Sequence, residues 1–238
     1  MKAVWTSSRW SQFLFATFLS ASISLLNQQP ALRAQAKVWN FDKDAPQSLP
    51  KGWTSVLSGQ GGKGKWVTLA DPTAPSQPNV LAQTTKDIGD YRFPVAILED
   101  ATYQDPNLSV QFKTVFGRVD QCAGLVWRYM DPKNYYVVRA NALEDNVVVY
   151  KMENGKRSHL RPKGSTGRGY GVKIRVSQNT WNKLGIKATG SVFIISFNGQ
   201  KLYEVEDNTF SEAGKVGLWT KADSVTYFDN FSVIGNKN

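Results

Sequence analysis

The sequence predicts an all-β sandwich or barrel. Short apolar runs alternate with Gly, Pro, Asn and Asp along most of the chain, and side-chain character alternates within the runs. After residue 36 no segment holds a 3.6-residue apolar period. The third observation is Asn198-Gly199 between two β-rich runs, because Asn-Gly supplies the positive-φ residues that a two-residue hairpin turn requires. The sequence has no internal repeat and no long linker, so residues 37–238 read as one domain. That length is enough to bury a core. Cys122 is the only cysteine, which rules out an intrachain disulfide; within CAGLVW it reads as a small buried hydrophobe.

The first 36 residues stand apart. Lys2 and Arg9 give a basic start, residues 13–26 are apolar, and Ala34-Gln35-Ala36 is a small-x-small cleavage signal. This is the pattern of a secretory signal peptide cut before Lys37. The apolar run is shorter than the roughly 20 residues a membrane helix needs. Export to the periplasm or the extracellular space is expected, with no membrane span after cleavage. The full chain carries a net charge of +10, and losing Lys2, Arg9 and Arg33 leaves about +7. Such a charge favours anionic partners.

In the domain itself, Trp39-Asn40-Phe41-Asp42 is the opening, and residues 48–53 (SLPKGW) read as a loop with two breakers. Residues 59–64 (GQGGKG) are rich in glycine but lack the phosphate-loop spacing, so no nucleotide is expected. Strands are expected at 65–70, 80–83, 93–98, 108–116, 123–130, 135–142 and 147–152, then at 172–176, 183–188, 191–198, 201–205, 216–220 and 225–233. Asp131-Pro132-Lys133-Asn134 reads as a turn, which sets Met130 opposite Tyr135 and Arg128 opposite Val137. Alternation then puts Leu125, Trp127 and Tyr129 on one face with Tyr136, Val138 and Ala140, and that face is core. The opposite face carries Val126, Arg128, Met130, Tyr135, Arg139 and Asn141, a mixture unlike a plain solvated face.

Most catalytic chemistries find no constellation here. His159 and Cys122 are single, so zinc is not expected. No G-x-S-x-G accompanies the one histidine, which argues against a serine nucleophile. Glu99-Asp100 and Glu144-Asp145 are adjacent and would diverge from a strand; Glu204 and Glu206 alternate correctly but lack a third acid. The basic run over residues 151–175 holds Lys156, Arg157, Arg161, Lys163, Arg168, Lys173 and Arg175 against Glu153 alone. It could meet an anionic polysaccharide, yet only Tyr170 is there to stack, and a solvated loop is its simpler reading.

Four pieces of sequence carry a resemblance. A Trp opens a strand at Trp181, FNG follows at 197–199, VGLWTKADS at 216–224 and YFDNF at 227–231. Phe41-Asp42 and Pro50-Lys51-Gly52-Trp53 add to it. The chain resembles the concanavalin A-like lectin/glucanase superfamily, and within it the 3-keto-disaccharide hydrolase domain. The resemblance runs from about Phe41 to Val233 and is strongest over residues 124–136 and from Trp181 onward.

It implies a two-sheet antiparallel jelly roll whose concave sheet serves as the glycan groove. Arg128, Arg139 and Asn141 would meet hydroxyls and Tyr135 a pyranose face, with Trp219 and Lys221 as further walls if their strand joins that sheet. Replacing Arg128 or Arg139 by Ala is then expected to abolish binding with little loss of stability. A binding module is the first reading. A hydrolase acting on 3-keto-disaccharides or related glycosides is the second, and a structural envelope protein the third. The glucanase Glu-x-Asp-x-Glu string is absent. Neighbouring terminal strands in jelly rolls would bring Asp42 near Asp229, and oxygen ligands of that kind suit a structural calcium.

Overall fold

The computed structural model describes residues 1–4, 35–166 and 169–237. The chain divides into two compact units, Met1–Arg33 and Ala34–Asn238. Of the first, only Met1 to Val4 are described; the apolar run expected as a signal peptide lies outside the described residues. So do Gly167 and Arg168 of the basic run. No helix among the described residues is long and apolar enough to cross a membrane.

The second unit is built of strands alone. They are β1 (Lys37–Trp39), β2 (Trp53–Gly59), β3 (Trp66–Ala70), β4 (Asn79–Gln83), β5 (Arg92–Tyr103), β6 (Asn107–Phe116), β7 (Cys122–Asp131) and β8 (Asn134–Asn141). There follow β9 (Asn146–Glu153), β10 (Lys156–Leu160), β11 (Val172–Lys173), β12 (Asn182–Thr189), β13 (Val192–Phe197), β14 (Gln200–Glu206), β15 (Gly214–Trp219) and β16 (Val225–Ile234). Every expected strand is present, although the one expected at 172–176 is cut to two residues. Short β1, β2 and the polar β10 are additions to the sequence reading.

Two antiparallel sheets form the sandwich. The first has the order β14-β13-β12-β6-β16-β4-β3, with β1 also on β16. The second has the order β10-β9-β8-β7-β15-β5-β2, with β11 also on β9. Between them lies the main core, where Leu125, Trp127, Tyr136, Val138 and Leu218 of the second sheet meet Phe112, Leu184, Ile195, Phe193 and Phe228 of the first. Asn198, at positive φ with Gly199, turns β13 into β14 as expected.

The central hairpin corrects the expected register. Val126, not Arg128, faces Val137, and Trp127 faces Tyr136. The ladder then slips until Asp131 meets Asn134, which leaves Arg128, Tyr129 and Met130 against Tyr135 alone. Because the slip is two residues, Leu125 and Trp127 keep their expected face. At the bulge Arg128 takes a left-handed φ of 47°. Bulges re-aim side chains, and this one sends Tyr129 out to join Tyr135, against expectation, while Arg128 approaches the core ring of Phe193. Gly214 of β15 makes room: a Cβ there would lie 2.6 Å from the Arg128 Cα.

Candidate sugar-binding face

The second sheet curls so far that its outer face nearly closes on itself. Four strand spacings separate β2 from β8, roughly 19 Å in a flat sheet. Yet the Tyr135 hydroxyl donates to Ser58 Oγ at 2.9 Å, and Ser58 donates to the Pro132 carbonyl at 2.7 Å. Tyr91, just before β5, donates to the Gly155 carbonyl in the β9–β10 turn at 3.0 Å and accepts the Arg157 amide at 2.9 Å. The concavity holds a second apolar cluster that includes Phe93, Val95, Ile97, Val126, Val137, Val148, Met152 and Trp219. The polar face expected from the hairpin is therefore mainly apolar.

One row across this face reads Val56, Val95, Trp219, Gly124, Arg139 and Val148 in register. Gly124 separates Trp219 from Arg139, and its Cβ would press on Val137 Cγ2 at 3.1 Å and Trp219 Cβ at 3.2 Å. From Trp219 a ring of contacts leads back to Arg139. Phe93 stacks on Trp219 at 5.3 Å; the Arg157 guanidinium lies 4.7 Å over Phe93 and 4.6 Å over Tyr150; Tyr150 lies 5.6 Å from the Arg139 guanidinium. Tyr170, 43% exposed, shares a hydrogen bond with the Tyr150 hydroxyl and stands edge-on to His159.

Polar side chains fill the adjoining rim. Arg139, 1% exposed, donates to both oxygens of Glu144 at 3.1 and 2.8 Å and to Asn146 Oδ1 at 2.8 Å. Burial works against the Arg139 charge, but the Tyr150 oxygen and Glu144 outweigh it and hold the guanidinium above its ordinary value. Burial also raises Glu144, and the hydrogen bonds from Arg139 more than reverse that, leaving its carboxyl below the usual range. Asn141 donates to Asp120 at 2.7 Å and accepts the Leu143 amide at 2.8 Å. Lys221 joins Asp120, at 3.0 Å, to Asp90. Exposed Ile88, Val119 and Leu143 flank these groups in sequence.

Arg139, Asn141, Trp219 and Lys221 are thus brought together, and Tyr135 lies on the same face, where burial pushes its phenol up to about 12. Arg128 is elsewhere. Its guanidinium, in a residue 1% exposed, donates to the carbonyls of Gln104, Phe210 and Gly190 at 3.1, 2.6 and 2.7 Å and pairs with Asp105 at 3.0 Å. It ties loops at the sandwich end and shares no face with Arg139. Sequence reasoning named Arg157 within the basic run, as part of a solvated loop, and missed its place on this face. Its signal was the alternation of Arg157 and His159 in KRSHL, which pair across the ladder with Met152 and Tyr150.

Asp42 and Asp229 meet, as expected, at Ser76. Asp42 accepts the Ser76 hydroxyl and the Asn79 amide; Asp229 accepts the amides of Ser76 and Asn230 at 2.7 and 2.6 Å. Burial, helped by the charges of Asp42 and Asp71, raises Asp229 to about 6. All four carboxylate oxygens already accept protein donors, and no group of three acids, histidines or cysteines is gathered among the described residues. Two carboxylates supply fewer oxygens than the six to eight that calcium takes. Millimolar calcium added to chelator-treated protein is expected to move the melting midpoint by less than about 1 °C. A saturated site would add a few kcal/mol, and about 2–4 °C for each.

No protein-family model matches the sequence, and no curated protein matches it; the narrower likeness to the 3-keto-disaccharide hydrolase domain has no such support. Solved structures do match. The carbohydrate binding module CBM66 from Bacillus subtilis superposes with a TM-score of 0.57 at 22% identity, over 77% of this chain and 96% of that one. The cellulose induced protein Cip1 gives 0.59 at 11% identity, over 85% and 98%. The chain has the two-sheet antiparallel jelly-roll fold. Domain 4 of AbnA, an extracellular arabinanase from Geobacillus stearothermophilus solved with arabinotriose, gives 0.51 at 10% identity over 86% and 94%. At these identities the likeness extends to the jelly-roll fold alone.

Proposed function

We propose that the protein is an exported carbohydrate-binding jelly roll that takes its sugar on the curled second sheet. The observation that carries this is a pair of buried donors. The Nε–H of Arg139 and an Nη1–H of Arg157 have no acceptor among the described residues. A buried N–H left unpaired costs about 1–3 kcal/mol, so the two are suited to a ligand rich in oxygen. Tyr170, 43% exposed, offers an open ring on the same face, and buried Phe93 and Tyr150 back the two guanidinium groups, the pairing of ring and donor that sugar C–H faces and hydroxyls require. That the fold's structural neighbours include a carbohydrate binding module supports the same reading.

Arg157→Ala is expected to lower binding on a glycan array at least tenfold while the variant melts cooperatively. Its loss removes a donor that the protein itself does not use. Unchanged binding by folded Arg157→Ala would show that the sugar sits elsewhere.

A further inference from the structure

Resting on that reading, we infer that the bound sugar carries an anionic substituent, a uronate carboxylate or a sulfate ester. Arg139 is neutralised by Glu144, Lys221 by Asp120 and Asp90, and Arg92 by Asp87 at 3.3 Å. Arg157 has no ion pair among the described residues. Asp90, which feels its field, is already held by Lys221. The guanidinium is set between two aromatic rings with a buried N–H unspent, and is partly shielded from water.

Its surroundings add to the imbalance. Lys156 next to it has no acidic partner among the described residues, and Lys173, on β11 at the far edge of β9, donates only to the Glu144 carbonyl oxygen. Neutral hydroxyls would satisfy the unpaired hydrogen but leave the charge. An anionic group satisfies both, and guanidinium–carboxylate or guanidinium–sulfate contacts are roughly twice as strong as neutral ones. Exposed Tyr170, bonded to the hydroxyl of the Tyr150 whose ring faces Arg157, distinguishes a sugar from a bare polyanion, since its open ring suits a C–H face.

The test compares the purified protein on uronate oligosaccharides, on sulfated oligosaccharides and on the same chains after carboxyl reduction or desulfation. Polyglutamate serves as an anion without sugar rings. At least one anionic arm is expected to bind tenfold or more above its neutral counterpart and above polyglutamate. That excess should vanish in Arg157→Gln and persist in Lys187→Gln on the other sheet. Should Arg157→Gln fail to fold, Arg157→Lys retains the charge, and a partial loss with a steeper salt dependence is expected. Equal binding of neutral and anionic sugars overturns this inference and leaves the sugar reading standing. Binding in no arm overturns both, and equal binding of polyglutamate reduces the effect to bulk charge.

Discussion

Trp127→Ala is expected to cost about 3–5 kcal/mol of unfolding free energy, the range for a fully buried large aromatic. Trp127 has no solvent exposure, stacks on Tyr136 at 5.3 Å and meets Phe193 edge-on at 5.1 Å. Phe193 comes from β13 of the opposite sheet, so the indole joins the two layers where the core is most aromatic. Tyr136 in turn donates to Asp207 at 2.6 Å and accepts the Phe210 amide at 3.0 Å. Truncating Trp127 would therefore loosen the 207–210 loop as well. Urea unfolding monitored by circular dichroism measures the loss; a change under about 1 kcal/mol would mean the strand faces are reversed.

Arg128→Ala is expected to destabilise by a comparable amount, about 3–5 kcal/mol, as breaking a buried charged network does. The variant would leave the carbonyls of Gln104, Phe210 and Gly190 without this donor, and would place alanine at a positive φ. This reverses the expectation that an arginine on the hairpin's mixed face could be removed with little loss of stability. Arg128→Lys should recover only part of the loss, because an ammonium cannot reach four acceptors with a planar fork. A variant as stable as the parent protein, in the same urea titration, would contradict the structural role.

The two arginines show how far the hairpin can be read from sequence. Arg139 follows the regular alternation of β8, and its outward direction was legible from Val138 and Ala140 pointing in. Arg128 obeys the same parity on paper, but the bulge breaks it. The bulge depends on Gly214, a residue 86 positions away in sequence that no local pattern links to it. The two faces of the hairpin stay in place all the same, because a register shift of two residues preserves side-chain parity. Short β2 and polar β10 escaped for a related reason: each is ordered by the neighbours it pairs with, not by its own apolar content. The curl that closes the second sheet is likewise a property of all its strands together. It turned an expected open groove into a mainly apolar, nearly closed face and laid Arg157 of edge strand β10 over Phe93 and Tyr150.

Nitrogen-proton NMR of the arginine side chains and tryptophan indoles during a titration with the tightest array glycan tests the central claim most directly. Arg157 Nε–H, Arg139 Nε–H and the Trp219 indole are expected to shift together and to saturate with one another. The Trp181 indole beside Lys113 of β6, on the other sheet, should stay fixed. Movement of Trp181 with Arg157, Arg139 and Trp219 unmoved would contradict the account and place the sugar on the first sheet.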